Sequence, residues 1–221
     1  MDDATRSAAL ERLAPLVGEW TIEARFASET PVRGTRCAEF QVVFSGRLDR
    51  EKGYRALIEA WRLADLEKGG AALVLVGPGP ERARAGATRT VRFVGRASPV
   101  EVRNFYGGAD VVVVPSIPTR TFREPWGLVV NEAMNQGLPV IATDAVGAAA
   151  GQLVRHERNG LIVPAGDAGA LAQAIRRLHD DSNLRARLGA QGREDVRAHT
   201  AEAWVDGISR ALLTASRTEE D

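Results

Sequence analysis

Residues 42–163 alternate short apolar runs with longer amphipathic ones, and this alternation restricts the fold more than any other feature of the chain. The short runs fall at 42–45, 72–77, 90–94, 110–114, 139–142 and 160–163. They are rich in β-branched residues and lack polar alternation, as strands do when helices cover both of their faces. The runs between them read as helices. Over 54–68, Leu57, Ile58, Trp61 and Leu66 stand near helical spacing. Ser98 is expected to cap a helix with Pro99 at its first position and Glu101 three residues after the cap, the pattern of a capping box. A short helix over 128–136 is stopped by Gly137 and Pro139. Together these predict an α/β fold: a single Rossmann-like doubly wound parallel sheet.

The flanks read differently. From Asp167 the pattern is helical, with Asp167 capping one helix, Asp181 or Ser182 a second, and Thr200 a third that carries Trp204, Ile208, Leu212 and Leu213 on one side. Near the start, Trp20, Ile22, Ala24 and Phe26 alternate with polar residues, which predicts a half-buried antiparallel strand with 35–44 as its partner. The expected division is therefore 1–41, an extension with a short helix and a β-hairpin; 42–199, the Rossmann-like domain; and 200–221, a C-terminal helix and tail.

Composition narrows the function classes. Of 221 residues, 29 are Lys or Arg and 29 are Asp or Glu. That balance lacks the basic excess of a nucleic-acid binder, so no nucleic-acid partner is expected. No apolar run approaches the ~20 residues of a transmembrane segment. The N-terminus does not read as a secretory signal. The single cysteine, Cys37, has no internal disulfide partner, which fits a reducing, cytoplasmic setting. His156, His179 and His199 are scattered without metal-ligand spacing, and no metal or other cofactor is expected.

Several motifs end on glycine or proline where a strand gives way to a loop. FSGRLDREKG places Arg47 and Lys52 around a helix entry, where cations oppose the helix dipole unless an anion sits nearby. LVLVGPGP brings Gly77 to the end of a strand, where a backbone without a Cβ lets a ligand approach. FVGR and VVVVPS end two more strands, the first followed by Arg96. In open α/β sheets, ligands bind at such carboxyl ends. The stretch FREPWGLVVNEAMNQGLPVIATD then sets Glu124 and Glu132 on either side of a helix start. The first free amides there, at about Gly127, Leu128 and Val129, form an anion site. Each carboxylate beside a diphosphate repels it by roughly 2 kcal/mol at ~8 Å and an effective dielectric of ~20. The carboxylates should therefore hold neutral, hydroxyl-bearing parts of a ligand, with Arg47 and Lys52 cancelling the phosphates.

Taken in order, GRLDREKG, VGPGP, FVGR, VVVVPS, FREPWGLVVNEAMNQGLPVIATDAVG and RNGLIVPAGD resemble the C-terminal half of GT-B glycosyltransferases of family 4 (glycosyl transferase group 1), over about residues 42–213. The resemblance implies a retaining, metal-independent hexosyl-type transferase whose donor is a nucleoside-diphosphate sugar. It implies that Arg47, Lys52 and the amides at Gly127 and Leu128 hold the diphosphate. Glu124 would contact the transferred sugar, Glu132 the ribose diol, and Arg96 the neighbourhood of the base. Gly-Pro-Gly at 77–79 and Trp126 depart from the family's usual residues. The family's acceptor-binding N-terminal domain has no counterpart in this sequence, so a truncated chain is expected. An acceptor domain supplied by another chain, or self-association, is then the expected route to transfer. The alternative is a non-catalytic nucleotide-sugar-binding or regulatory module. LAPLVGEWTIEARF in turn is similar to the opening of a lipocalin-like β-barrel family.

Overall fold

The computed structural model describes residues 34–66, 69–79, 89–200, 202, 203 and 205–210. The strands β1 (Phe40–Ser45), β2 (Ala71–Val76), β3 (Val91–Gly95), β4 (Val111–Val114), β5 (Val140–Thr143) and β6 (Gly160–Val163) pair side by side, all parallel. Their order in the sheet is β3-β2-β1-β4-β5-β6. Each expected strand is present to within two residues at either end.

Side chains alternate across the sheet, yet both faces are apolar, and this is why the strands read as unbroken hydrophobic runs. In β4, Val111 and Val113 enter one core and Val112 and Val114 the other. The first core is completed by α1 (Tyr54–Ala64), α5 (Ala168–Asp180) and α6 (Ser182–Asp195). The second is completed by α2 (Pro99–Gly107), α3 (Leu128–Asn135) and α4 (Gly147–Ala150). Trp61, Leu57, Leu73 and Ile175 are wholly buried, and each such side chain stabilises the fold by ~1.5–3 kcal/mol. The polar exception in the central strand, Gln41, is satisfied: it donates to the Thr35 carbonyl at 3.0 Å and accepts from the Cys37 amide at 3.0 Å.

The caps follow the sequence. Ser98 accepts from the Glu101 amide at 3.3 Å, and Glu101 accepts from the Ser98 amide at 2.7 Å. Asp167 and Asp181 accept from the amides of Ala170 and Leu184, each at 2.8 Å.

Two expectations are corrected. The segment 35–44 is not half of an antiparallel hairpin. Both edges of β1 are taken by parallel neighbours, β2 and β4, which leaves no edge for a further strand. Trp20–Phe26 and the lipocalin-like stretch lie outside the described residues. The second correction concerns α1, which ends at Ala64 rather than at 68 because Asp65 turns left-handed (φ 51°). Aspartate tolerates that conformation, and Leu66 reaches the core from the turn instead.

The sheet belongs to a unit spanning Ala27–Val196. A second unit combines Met1–Phe26 with Arg197–Asp221. Within it, Thr200 accepts from the Ala203 amide at 3.2 Å and residues 205–210 are helical. Trp204, Leu212 and Leu213 lie outside the described residues.

In this strand order the chain moves outward from β1 to β3, then returns to the other side of β1 to lay down β4. The loops after β1 and β4 leave in opposite directions and open a crevice at the carboxyl ends of these strands.

Candidate functional site

That crevice is a cavity of about 450 Å³. Its floor is the ends of β1 and β4, Phe44, Ser45 and Val114, and one wall is the loop that leads into α3 together with the first turns of that helix. Lys52, Glu124, Gly127, Leu128 and Glu132, five of the residues singled out from sequence, all line it.

The start of α3 is built to leave amides free. Gly127 is its N-cap with φ 89°, a left-handed conformation suited to glycine, and an added Cβ would lie 3.0 Å from Val146. No side chain caps this helix, and its first turn carries no acidic residue. The Val130 amide is used by the Gly127 carbonyl at 2.8 Å, and among the described residues the amides of Gly127, Leu128 and Val129 have no acceptor. These include the Gly127 and Leu128 amides singled out from sequence. Leu128 and Glu132, one turn apart, share the helix face that borders the cavity.

The two carboxylates are each held through one oxygen. Glu124 Oε2 accepts from Lys52 Nζ at 2.5 Å and from Ser116 Oγ at 3.0 Å. Lys52 also lies 5.2 Å from the centre of the Phe122 ring. Glu132 Oε2 accepts from the Tyr106 hydroxyl at 2.9 Å. Among the described residues neither Oε1 has a donor. Glu132 opens to water on the cavity side but is flanked by protein elsewhere. That partial desolvation raises its pKa, while the Tyr106 hydrogen bond acts in the opposite direction. Burial, then the charge of Glu132, pushes the Tyr106 phenol well above the ordinary range, so it stays protonated and donates.

Three expected residues are placed elsewhere. Arg47 does not line the cavity. Its guanidinium pairs with Asp49 at 2.5 Å and Glu51 at 3.2 Å within its own loop and is 58% exposed. Gly77 does not meet the cavity either. A Cβ there would lie 1.8 Å from the Gly46 carbonyl oxygen, so its glycine serves the close approach of the loops after β1 and β2. Arg96 is exposed beyond β3, two strands away from the crevice.

Sequence reading missed Ser45, Ser116 and Tyr106, which complete the hydrogen bonding. It also missed the lock on the loop before α3, where the Trp126 indole donates to the buried Asn131 at 2.8 Å. For Tyr106 a signal existed: a tyrosine on an apolar helix face needs a partner for its hydroxyl. Among the described residues no group of three or more His, Cys, Asp or Glu is arranged to hold a metal, and no helix is long and apolar enough to cross a membrane.

A cavity with one lysine, free helix amides and two half-occupied carboxylates suits a ligand that joins an anionic centre to flanking hydroxyl groups. The chain matches known proteins over most of its length. The family model for glycosyl transferases group 1 matches residues 30–195. The lipopolysaccharide core biosynthesis glycosyltransferase LpsD of Rhizobium meliloti is 37% identical over 185 residues, covering 78% of this chain and 50% of its own length. The chain thus spans about half the length of the curated relatives it matches. Among solved structures, the C-terminal domain of a group 1 glycosyl transferase from Francisella tularensis superposes with a TM-score of 0.64 at 26% identity, over 74% of this chain and 87% of that one. The Anabaena protein HepE, solved with UDP and glucose, shares the fold with a TM-score of 0.65 at 23% identity, over 97% of this chain and 53% of that one.

Proposed function

Because the chain belongs to the group 1 glycosyl transferases, we propose that it is the donor-binding half of such an enzyme. In this reading it holds a nucleoside-diphosphate sugar in the crevice for transfer to an acceptor hydroxyl. The diphosphate lies against the amides of Leu128 and Val129 and against Lys52. Glu124 Oε1 accepts from a hydroxyl of the transferred sugar, and Glu132 Oε1 from the ribose diol. A carboxylate accepting such a hydroxyl gains ~1.5–3 kcal/mol per bond. The transfer is hexosyl, retaining and metal-independent, in the manner of family 4. Its main catalytic term is stabilisation of the departing diphosphate by fixed amides and a cation, where one donor is worth ~2.7–4 kcal/mol.

One observation carries this reading: the uncapped start of α3 stands between two carboxylates that each keep an oxygen unused. The Lys52–Glu124 pair adds a condition. At ~3.5 Å and an effective dielectric of ~20, Lys52 attracts a phosphate charge by roughly 5 kcal/mol, while Glu124 at ~6 Å repels it by roughly 3 kcal/mol. Attraction wins, but by a margin small enough that the helix amides are needed as well.

Calorimetric titration with UDP, GDP and ADP tests the site; UDP is included because HepE was solved with it. Micromolar binding of one of them, weakened in Lys52→Ala, supports the reading, and no binding by any of the three contradicts it. A second reading is a binding module without transfer chemistry. The two separate on release of sugar from a nucleotide sugar when an acceptor domain, or a second copy of the chain, is supplied. Release supports the transferase half, and binding without release supports the module.

A further inference from the structure

We infer that Tyr106 is a positioning residue for the crevice, fixing the Glu132 carboxylate so that one oxygen is bound to the protein and the other is presented to the ligand's vicinal hydroxyls. The inference rests on the donor-site reading above, in which Glu132 takes the ribose diol.

Tyr106 lies in the last turn of α2 and is 2% exposed, beneath the cavity rather than in it. Its ring packs in the core with Val43, Val112 and Val130, so the phenol is held at one place. The phenol donates to Glu132 Oε2 at 2.9 Å, and the Ser45 side chain at the end of β1 lies close enough to act on it. Glu132 as a carboxylate only accepts, so the phenol proton must point to Glu132. This bond joins α2 to α3 at the crevice and ends on the carboxylate that faces it.

A glutamate without such a partner has a broad terminal torsion and samples many orientations. Ordering it would then fall on the binding event, which weakens affinity by about threefold to tenfold for one such side chain. Tyr106 removes that cost beforehand. Its contribution is therefore confined to ligands that use Glu132, and a purely structural tyrosine would affect all ligands alike.

The test is calorimetry with UDP, GDP and ADP, each compared with its 2′,3′-dideoxy form, on the wild type, Tyr106→Phe, Glu132→Ala and the double variant. Wild type should prefer the diol form of whichever nucleotide binds most tightly. Tyr106→Phe should weaken that diol form about threefold to tenfold, leave the dideoxy form unchanged, and add nothing in the Glu132→Ala background. Equal weakening of both forms would overturn the positioning role while leaving the donor site standing, and so would no weakening at all. No binding of any nucleotide to the wild type would overturn the donor site itself. Should Tyr106→Phe fail to fold, Ser45→Ala loosens the same phenol, and the same dependence on the diol is expected of it; its absence would overturn the inference.

Discussion

At the amino end of β6, Asp195 has both carboxylate oxygens occupied, whereas at the carboxyl ends of β1 and β4, Glu124 and Glu132 each have one. Asp195 accepts from Arg158 through two nitrogens at 2.9 and 3.1 Å, from Gln191 at 2.9 Å and from the wholly buried Asn159 at 2.8 Å. The Arg158 hydrogen bond leads in holding its pKa at about 2, below the usual 3.8. Glu132 is shifted the opposite way, because burial outweighs its single hydrogen bond. A carboxylate saturated by its own protein fastens α6 to the sheet and has nothing left for a ligand. The crevice carboxylates are held firmly enough to stay in place and keep an acceptor in reserve.

The largest break between the two ends is expected at Lys52. Lys52→Ala should weaken nucleoside-diphosphate binding by ~2–3 kcal/mol, read by calorimetry. Its melting temperature should fall as well, because the buried Glu124 loses its cation and keeps only the Ser116 hydroxyl. An unchanged affinity would show that the crevice cation is not used.

Asp195→Ala should instead cost ~1–2 kcal/mol of stability in denaturant unfolding while leaving nucleotide affinity intact. The pH dependence has a definite sign. A depressed carboxyl contributes its stability above the unfolded value and loses it as pH falls through the folded one. The melting-temperature gap between wild type and Asp195→Ala should therefore be constant above about pH 4 and close between about 4 and about 2. A gap that persists at pH 2 would contradict the assignment.

Glu124→Gln sharpens the comparison within the crevice. Without the Glu124 charge, Lys52 is freed for phosphate, and a bare nucleoside diphosphate should bind more tightly, by up to about a hundredfold if the whole ~3 kcal/mol of repulsion is relieved. The cognate nucleotide sugar should gain less or lose, since the carboxylate that accepts its hydroxyl is gone. Parallel titrations of the two ligands decide this, and equal gains for both would remove Glu124 from the sugar site. The smallest effect is expected at Arg47, already paired with Asp49 and Glu51. Arg47→Ala should change affinity and stability by less than ~0.5 kcal/mol each, and a tenfold loss of affinity would show that the pair opens for the ligand.

These contrasts follow how much of the molecule was legible beforehand. The strands read directly because β-branched runs covered on both faces leave a continuous apolar signal, and the caps at Ser98, Asp167 and Asp181 read because their partners are three residues away. Glu124, Gly127 and Glu132 read because one local stretch holds the loop, the helix start and both carboxylates. Tyr106 and Glu132 are 26 positions apart and meet only because α2 and α3 pack on the same face of the sheet. The approach of Gly77 to Gly46 was hidden for the same reason, since the two belong to different loops. Arg47 is different: Glu51 stands four positions on, and that local pairing was visible in the sequence.

A crystal structure of the chain with the tightest-binding of UDP, GDP or ADP tests the central claim most directly. The account places the diphosphate within hydrogen-bond distance of the Leu128 and Val129 amides and of Lys52, with the ribose hydroxyls on Glu132 Oε1. A nucleotide seated elsewhere on the sheet, or one in the crevice with its ribose turned away from Glu132, would contradict it.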